Sequence, residues 1–211
     1  MQAYIRDRCT YASFFMLFSR KEVLMTKQEL IDLLERAPVV AAVQDAGIPA
    51  ALASQAEVIF HLKANILTIG KHIEAAHQVG KRILVHVDLA EGLGRDRAGL
   101  EYLAGLGVDG VITTRTQLVR WARELGLIAV QRLFALDSQG LVSAEEAIAN
   151  TAPDLIELMP GVIGKVIARF ATGDIPVIAG GLIETKKEVV TALEYGALAV
   201  STGKALLWNL D

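Results

Sequence analysis

The chain has 211 residues, 53% of them hydrophobic and 21% charged, which suits one ordinary globular domain with a sizeable core. A net charge of −3 lacks the basic excess that usually marks a nucleic-acid-binding domain, although a local patch is compatible with it. A single cysteine, Cys9, excludes an internal disulfide framework and a cysteine-rich metal site, and it fits a reducing, cytoplasmic setting.

Residues 1–25 carry the apolar run Ser13-Phe-Phe-Met-Leu-Phe18 among Arg6, Arg8, Arg20 and Lys21. The run is too short for a membrane span of ~20 residues, and charge follows it where a signal peptide would have a small-residue cleavage site. The expectation is an N-terminal extension, disordered or a start-site artefact, with the domain over 26–211. Met25 would be an alternative start, because Thr26 and Glu29 sit at capping-box spacing.

From Thr26 the pattern alternates. Residues 27–36 read as an amphipathic helix, ended by Pro38, and Val39–Val43 as a buried strand. A loop with a helical turn follows over 44–56. Strands are predicted at 57–63, 81–89, 110–114, 127–131 and 154–159. Helices are predicted at 65–79, 95–105, 116–125, 143–151 and 162–171. Two similar turns come last, Ile175-Pro-Val-Ile-Ala-Gly-Gly181 and Ala197-Leu-Ala-Val-Ser-Thr-Gly203, each closing a β-branched run, with a helix at 185–195 between them and a final one at 203–209. Eight apolar runs separated by helices, at intervals near 25 residues, argue a parallel sheet. Eight repeats favour an α/β closed TIM-type (β/α)8 barrel, compact because such barrels usually need ~250 residues. No G-x-G-x-x-G follows the first strand, which weakens a dinucleotide-binding alternative.

Barrel ligands gather at the C-terminal strand ends, and the loops after strands seven and eight commonly cradle phosphate. Glycine lets backbone N–H groups approach an anion, and a helix N-terminus adds partial positive charge. Gly180, Gly181, Ser201, Thr202 and Gly203 therefore form the expected cradle. Lys63, Arg115 and Arg132 would add positive charge, and Asp45, Asp88 and Glu157 would meet hydroxyls, a metal or those cations. His86 and Asp88 would share a face if the strand ran on through both. Metal binding there would need Glu157 as a third ligand, and no metal site is assigned. Arg132 could equally neutralise Glu157, and Asp137 with Ser138 reads as a helix N-cap.

Across 26–210 the chain resembles the glycerol-3-phosphate-responsive antiterminator family. The resemblance rests on Pro38-Val-Val-Ala-Ala-Val-Gln-Asp45, Ile59-Phe-His-Leu-Lys63 and His86-Val-Asp-Leu-Ala-Glu-Gly-Leu93. It continues through Asp109-Gly-Val-Ile-Thr-Thr-Arg115, Gln131-Arg-Leu-Phe-Ala-Leu-Asp-Ser138, Ile156-Glu-Leu-Met-Pro-Gly161, Ile178-Ala-Gly-Gly-Leu-Ile183 and Val200-Ser-Thr with Leu207-Trp208. It implies a non-catalytic barrel that binds glycerol 3-phosphate and then the leader mRNA of glycerol-utilisation genes, preventing premature termination, with no cofactor. Arg115 stands where the family usually has Lys, and Gly203 where a serine is common. No RNP stretch is present, so RNA contact would fall to a basic rim of Arg115, Arg120, Arg123 and Lys165, with Arg132 nearby.

The alternative is a small barrel enzyme of isomerase, aldolase or phosphodiesterase type acting on a phosphorylated metabolite. Lys63 would be its Schiff-base amine, and Asp88 with Glu157 its acid/base pair. No His-Arg-Gly opening and no lysine at the end of strand six support it. Trp121 and Trp208 are candidates either for a homo-oligomer contact or for internal packing.

Overall fold

The computed structural model describes residues 25–210, so the expectations for residues 1–24 lie outside the described residues. Eight parallel strands form a closed barrel in sequential order, with the first strand also pairing with the last. The strands are β1 (Val39–Gln44), β2 (Val58–Lys63), β3 (Arg82–His86), β4 (Gly110–Thr113), β5 (Ile128–Phe134), β6 (Leu155–Met159), β7 (Val177–Gly180) and β8 (Ala199–Thr202). The helices are α1 (Lys27–Arg36), α2 (Ile48–Ala53), α3 (Ile69–Gln78), α4 (Arg97–Gly105), α5 (Thr116–Glu124), α6 (Ser138–Thr151), α7 (Gly164–Ala171) and α8 (Lys186–Glu194). The chain closes with a 3-10 turn over Ala205–Asn209 where a helix was expected. No helix among the described residues is long and apolar enough to cross a membrane.

Alternation along the strands sorts the core into two layers. Val40, Phe60, Leu84, Ile112, Val130, Leu155, Ile178 and Ala199 fill the barrel interior. Their neighbours, such as Ala41, Ile59, Val85, Ala129, Ile156 and Val200, pack outward with the helices. A period of two on a pleated strand makes this division unavoidable. Helix α1 closes the N-terminal end of the barrel with Met25, Leu30 and Leu34, which join the interior layer.

The Thr26 capping box is formed. Its hydroxyl accepts from the Glu29 N–H at 3.2 Å, and Glu29 accepts from the Thr26 N–H at 2.7 Å. Thr26→Ala removes the side-chain acceptor and is expected to lower unfolding free energy by about 1 kcal/mol, read by urea denaturation, whereas Thr26→Gly should cost less than Thr26→Ala.

Several boundaries differ from the expectation. β3 stops at His86, and Val87–Leu89 forms a 3-10 turn, so His86 and Asp88 are not alternate residues of one strand. β5 runs on to Phe134, carrying the buried Arg132 inside the strand. α6 begins at Ser138, with the Asp137 carboxylate accepting from the Gly140 N–H at 2.8 Å. Trp208 is buried and donates its indole N–H to the Thr202 carbonyl at 2.8 Å, which makes it a packing residue.

Candidate functional site

The interior rows become polar as they reach the C-terminal end. Leu84 gives way to His86, Val130 to Arg132, Leu155 to Glu157, Ile178 to Gly180 and Ala199 to Ser201. Arg132 and Glu157 are register partners on β5 and β6, and Gly180 and Ser201 on β7 and β8. The Arg132 Nε–H donates to Glu157 Oε2 at 2.6 Å, and the Ser201 hydroxyl donates to Glu157 Oε1 at 2.5 Å. Both carboxylate oxygens are thus held, as a buried charge requires. The terminal nitrogens of the guanidinium make no hydrogen bond among the described residues, which leaves a planar donor fork for an anion.

This network floors a cavity of about 210 Å³. Its wall includes Ala42, Leu62, Met159 and the two glycine turns, Gly181–Glu184 and Ser201–Lys204. Pockets for drug-sized molecules run to about 300–1,000 Å³, so this one suits a smaller ligand. Gly181 and Leu182 both adopt left-handed backbone, at φ 77° and 62°. Leucine rarely accepts that conformation, and such strain concentrates where a ligand is clamped. Lys204 reaches across to Glu184 at 2.9 Å. Lys204 was not foreseen, although it directly follows Gly203.

The expected site therefore divides. Arg132, Glu157, Gly181, Ser201, Thr202 and Gly203 line one cavity, and Gly180 is buried beside it, against Glu157 and Ser201. Asp45, Lys63, Asp88 and Arg115 are engaged elsewhere, and His86 is buried in the interior row without lining the cavity. Lys63 stands half-exposed with Glu91 at 3.1 Å, because Leu62 is the inward-facing neighbour. Arg115 lies 3.5 Å from Asp88. Asp88 itself accepts from the Thr113 and Thr114 hydroxyls and the Thr114 N–H. Burial alone would raise the Asp88 carboxyl, but these hydrogen bonds outweigh it and hold it below its ordinary value. Asp45 accepts from Thr68 at 2.7 Å and lies 2.7 Å from His61 Nε2. The N-terminus of α8 does not await an anion, since its own Glu188 accepts from the N–H groups of Glu184 and Thr185.

The basic rim is dispersed over the surface. Arg120 donates to the Asn150 carbonyl at 2.9 Å, Arg123 lies 3.7 Å from Asp154, and Lys165 sits on α7, beyond α6 in the ring. Arg132 is enclosed in the cavity floor.

His86 is 2% exposed. Burial pushes its imidazole below the ordinary value of 6.5, and the positive charge of Arg132 adds to the effect. The folded form then binds fewer protons than the unfolded chain, so the His86 contribution is complete above about pH 6.5 and is lost as pH falls towards the folded value. His86→Gln should therefore flatten part of the drop in melting temperature between about pH 7.5 and about pH 5.5, measured by circular dichroism. Equal slopes in both proteins would show that His86 does not titrate differently on folding.

A family model described as "Glycerol-3-phosphate responsive antiterminator" matches residues 39–208. The uncharacterized protein YgcP of Escherichia coli (strain K12) is 34% identical over 185 residues, which covers 86% of this chain and 96% of YgcP. The crystal structure of a glycerol uptake operon antiterminator regulatory protein from Listeria monocytogenes superposes with a TM-score of 0.77 at 32% identity, covering 81% of this chain and 94% of that one. A glycerol uptake operon antiterminator-related protein from Thermotoga maritima gives a TM-score of 0.71 at 32% identity, covering 81% and 96%.

Proposed function

Because the chain belongs to the glycerol-3-phosphate responsive antiterminator family, we propose that it is a ligand-gated regulator in which glycerol 3-phosphate occupies the cavity above Arg132 and Glu157. The observation that carries this reading is the half-used guanidinium. Arg132 spends its Nε–H on Glu157 and keeps its fork for phosphate, beside turns whose glycines let main-chain N–H groups come close. Lys204, paired with Glu184, stands at the mouth, and Glu157 and Ser201 offer oxygens to the glycerol hydroxyls.

The regulatory step follows from linkage. If the liganded barrel binds a leader mRNA more tightly, the RNA must tighten glycerol 3-phosphate binding by the same factor. The candidate RNA contacts are Arg115, Arg120, Arg123 and Lys165. Leu67, Leu136, Leu182 and Leu206 are exposed apolar residues in segments that follow β2, β5, β7 and β8, and Leu182 lines the cavity. An enzymatic reading gains no support from the placement of its key groups. Lys63 is ion-paired at the surface instead of enclosed in an apolar pocket, and Asp88 is saturated with hydrogen bonds.

Calorimetric titration with glycerol 3-phosphate, glycerol and inorganic phosphate tests the ligand. Saturable binding of glycerol 3-phosphate with no turnover supports a sensor. Turnover would establish an enzyme, and no binding would reject the ligand. A mobility-shift series with the leader RNA, with and without ligand and at several salt concentrations, then tests the coupling.

A further inference from the structure

A second cluster lies outside the barrel interior, between the β1 end, β2 and α3. On β2 the inward residues are Phe60 and Leu62, so His61 points outward, towards α3. It is fully buried, and His72 of α3 meets it edge to face at a ring separation of 5.1 Å. Asp45, in the turn after β1, lies 2.7 Å from His61 Nε2. Each of the three residues offers one donor atom, and these atoms lie within 4.8 Å of one another.

The imidazoles are incompletely used. Nδ1 of His61 and Nδ1 of His72 are both buried without a hydrogen-bond partner among the described residues. Buried polar atoms nearly always find partners, and two orphaned imidazole nitrogens in one cluster call for a cause. An ion shared by His61 and Asp45 would take the place of the proton between His61 Nε2 and the Asp45 carboxylate, which lie 2.7 Å apart, because the Nδ1 lone pair points away from that carboxylate.

We propose that Asp45, His61 and His72 form a binding site for a divalent transition-metal ion of the zinc type. Two imidazoles and a carboxylate are a borderline-soft donor set. It suits zinc, cobalt or nickel better than magnesium or calcium, which prefer all-oxygen shells. Metal bonds of about 2.0–2.2 Å would draw the donors together, and the partly exposed Asp45 marks the route of entry. An open fourth position would go to water. Occupancy would tie the turn after β1 to β2 and α3.

The test uses the full chain after removal of any affinity tag and treatment with chelator. Zinc titrated by calorimetry should bind saturably at one ion per chain and raise the melting temperature. Cobalt should give the visible d–d absorption of a low-symmetry nitrogen–oxygen site. His72→Gln and Asp45→Asn should each weaken zinc binding by at least about tenfold, while His72→Gln leaves glycerol 3-phosphate binding unchanged. His72 is partly exposed, so its variant should fold even if a His61 variant does not. No saturable binding at micromolar zinc, or equal affinity in the wild type and both variants, would overturn the assignment.

Discussion

Arg132→Ala is expected to cost roughly 3–5 kcal/mol of folding stability and to abolish measurable glycerol 3-phosphate binding. The stability loss comes from Glu157. That carboxylate is 1% exposed and takes its hydrogen bonds from Arg132 and Ser201. Deleting the guanidinium strands a buried charge with one hydroxyl for company. The loss of binding has a different origin, the missing donor fork at the cavity floor. Replacing both partners separates the two effects. Arg132→Met with Glu157→Leu leaves no orphaned charge, so stability should return to near the wild-type value while binding stays absent. Urea denaturation of the wild type, Arg132→Met, Glu157→Leu and the double variant closes the cycle. Wild-type stability in Arg132→Ala would mean that Glu157 does not depend on its partner. Retained binding in the double variant would place the ligand elsewhere.

The same pair explains where sequence reading succeeds and where it stops. Short β-branched runs at regular intervals announce the barrel, because a parallel strand buried on both faces has no polar residue to interrupt it. The two glycine turns are visible for the same reason, since small residues end an otherwise bulky run. β5 is cut short in the sequence because Arg132 looks like a strand terminator. A buried arginine is tolerated only with a partner, and that partner stands 25 residues further on. The helix start at Ser138 is hidden by Gly140 in its first turn, a poor helix former, although Asp137 is legible as the cap. The site is harder. Lys63 and Arg115 have the right charge and sit at strand ends, but alternation turns Lys63 outward and Asp88 occupies Arg115. His61, His72 and Asp45 have no recognisable spacing, because a turn, a strand and a helix bring them together. Residue type and strand end are readable along the chain, whereas side-chain direction depends on a register that one residue can invert.

Gly180→Ala is the sharper probe of the ligand site, because it removes no functional group. A Cβ at this position would stand 2.6 Å from Glu157 Oε1 and 2.6 Å from the Ser201 hydroxyl oxygen, two atoms that bond to each other at 2.5 Å. The methyl group can be housed only by separating them. Overpacking of this kind costs about 1–3 kcal/mol. The cavity floor moves with it, so glycerol 3-phosphate affinity should fall by tenfold or more, each factor of ten being about 1.4 kcal/mol. Gly181→Ala provides the contrast. There the added methyl meets the Cε of Met159 at 2.7 Å, the free end of a flexible side chain, but the backbone sits at φ 77°. Its penalty is torsional, about 1–2 kcal/mol of stability, with the Glu157–Ser201 bond untouched. The two variants should therefore be similarly destabilised yet differ clearly in calorimetric affinity, with Gly180→Ala the weaker binder. Equal affinities would show that the ligand ignores the Glu157–Ser201 floor and is held by the turns alone. Wild-type affinity in both would remove the glycine turns from the binding site altogether.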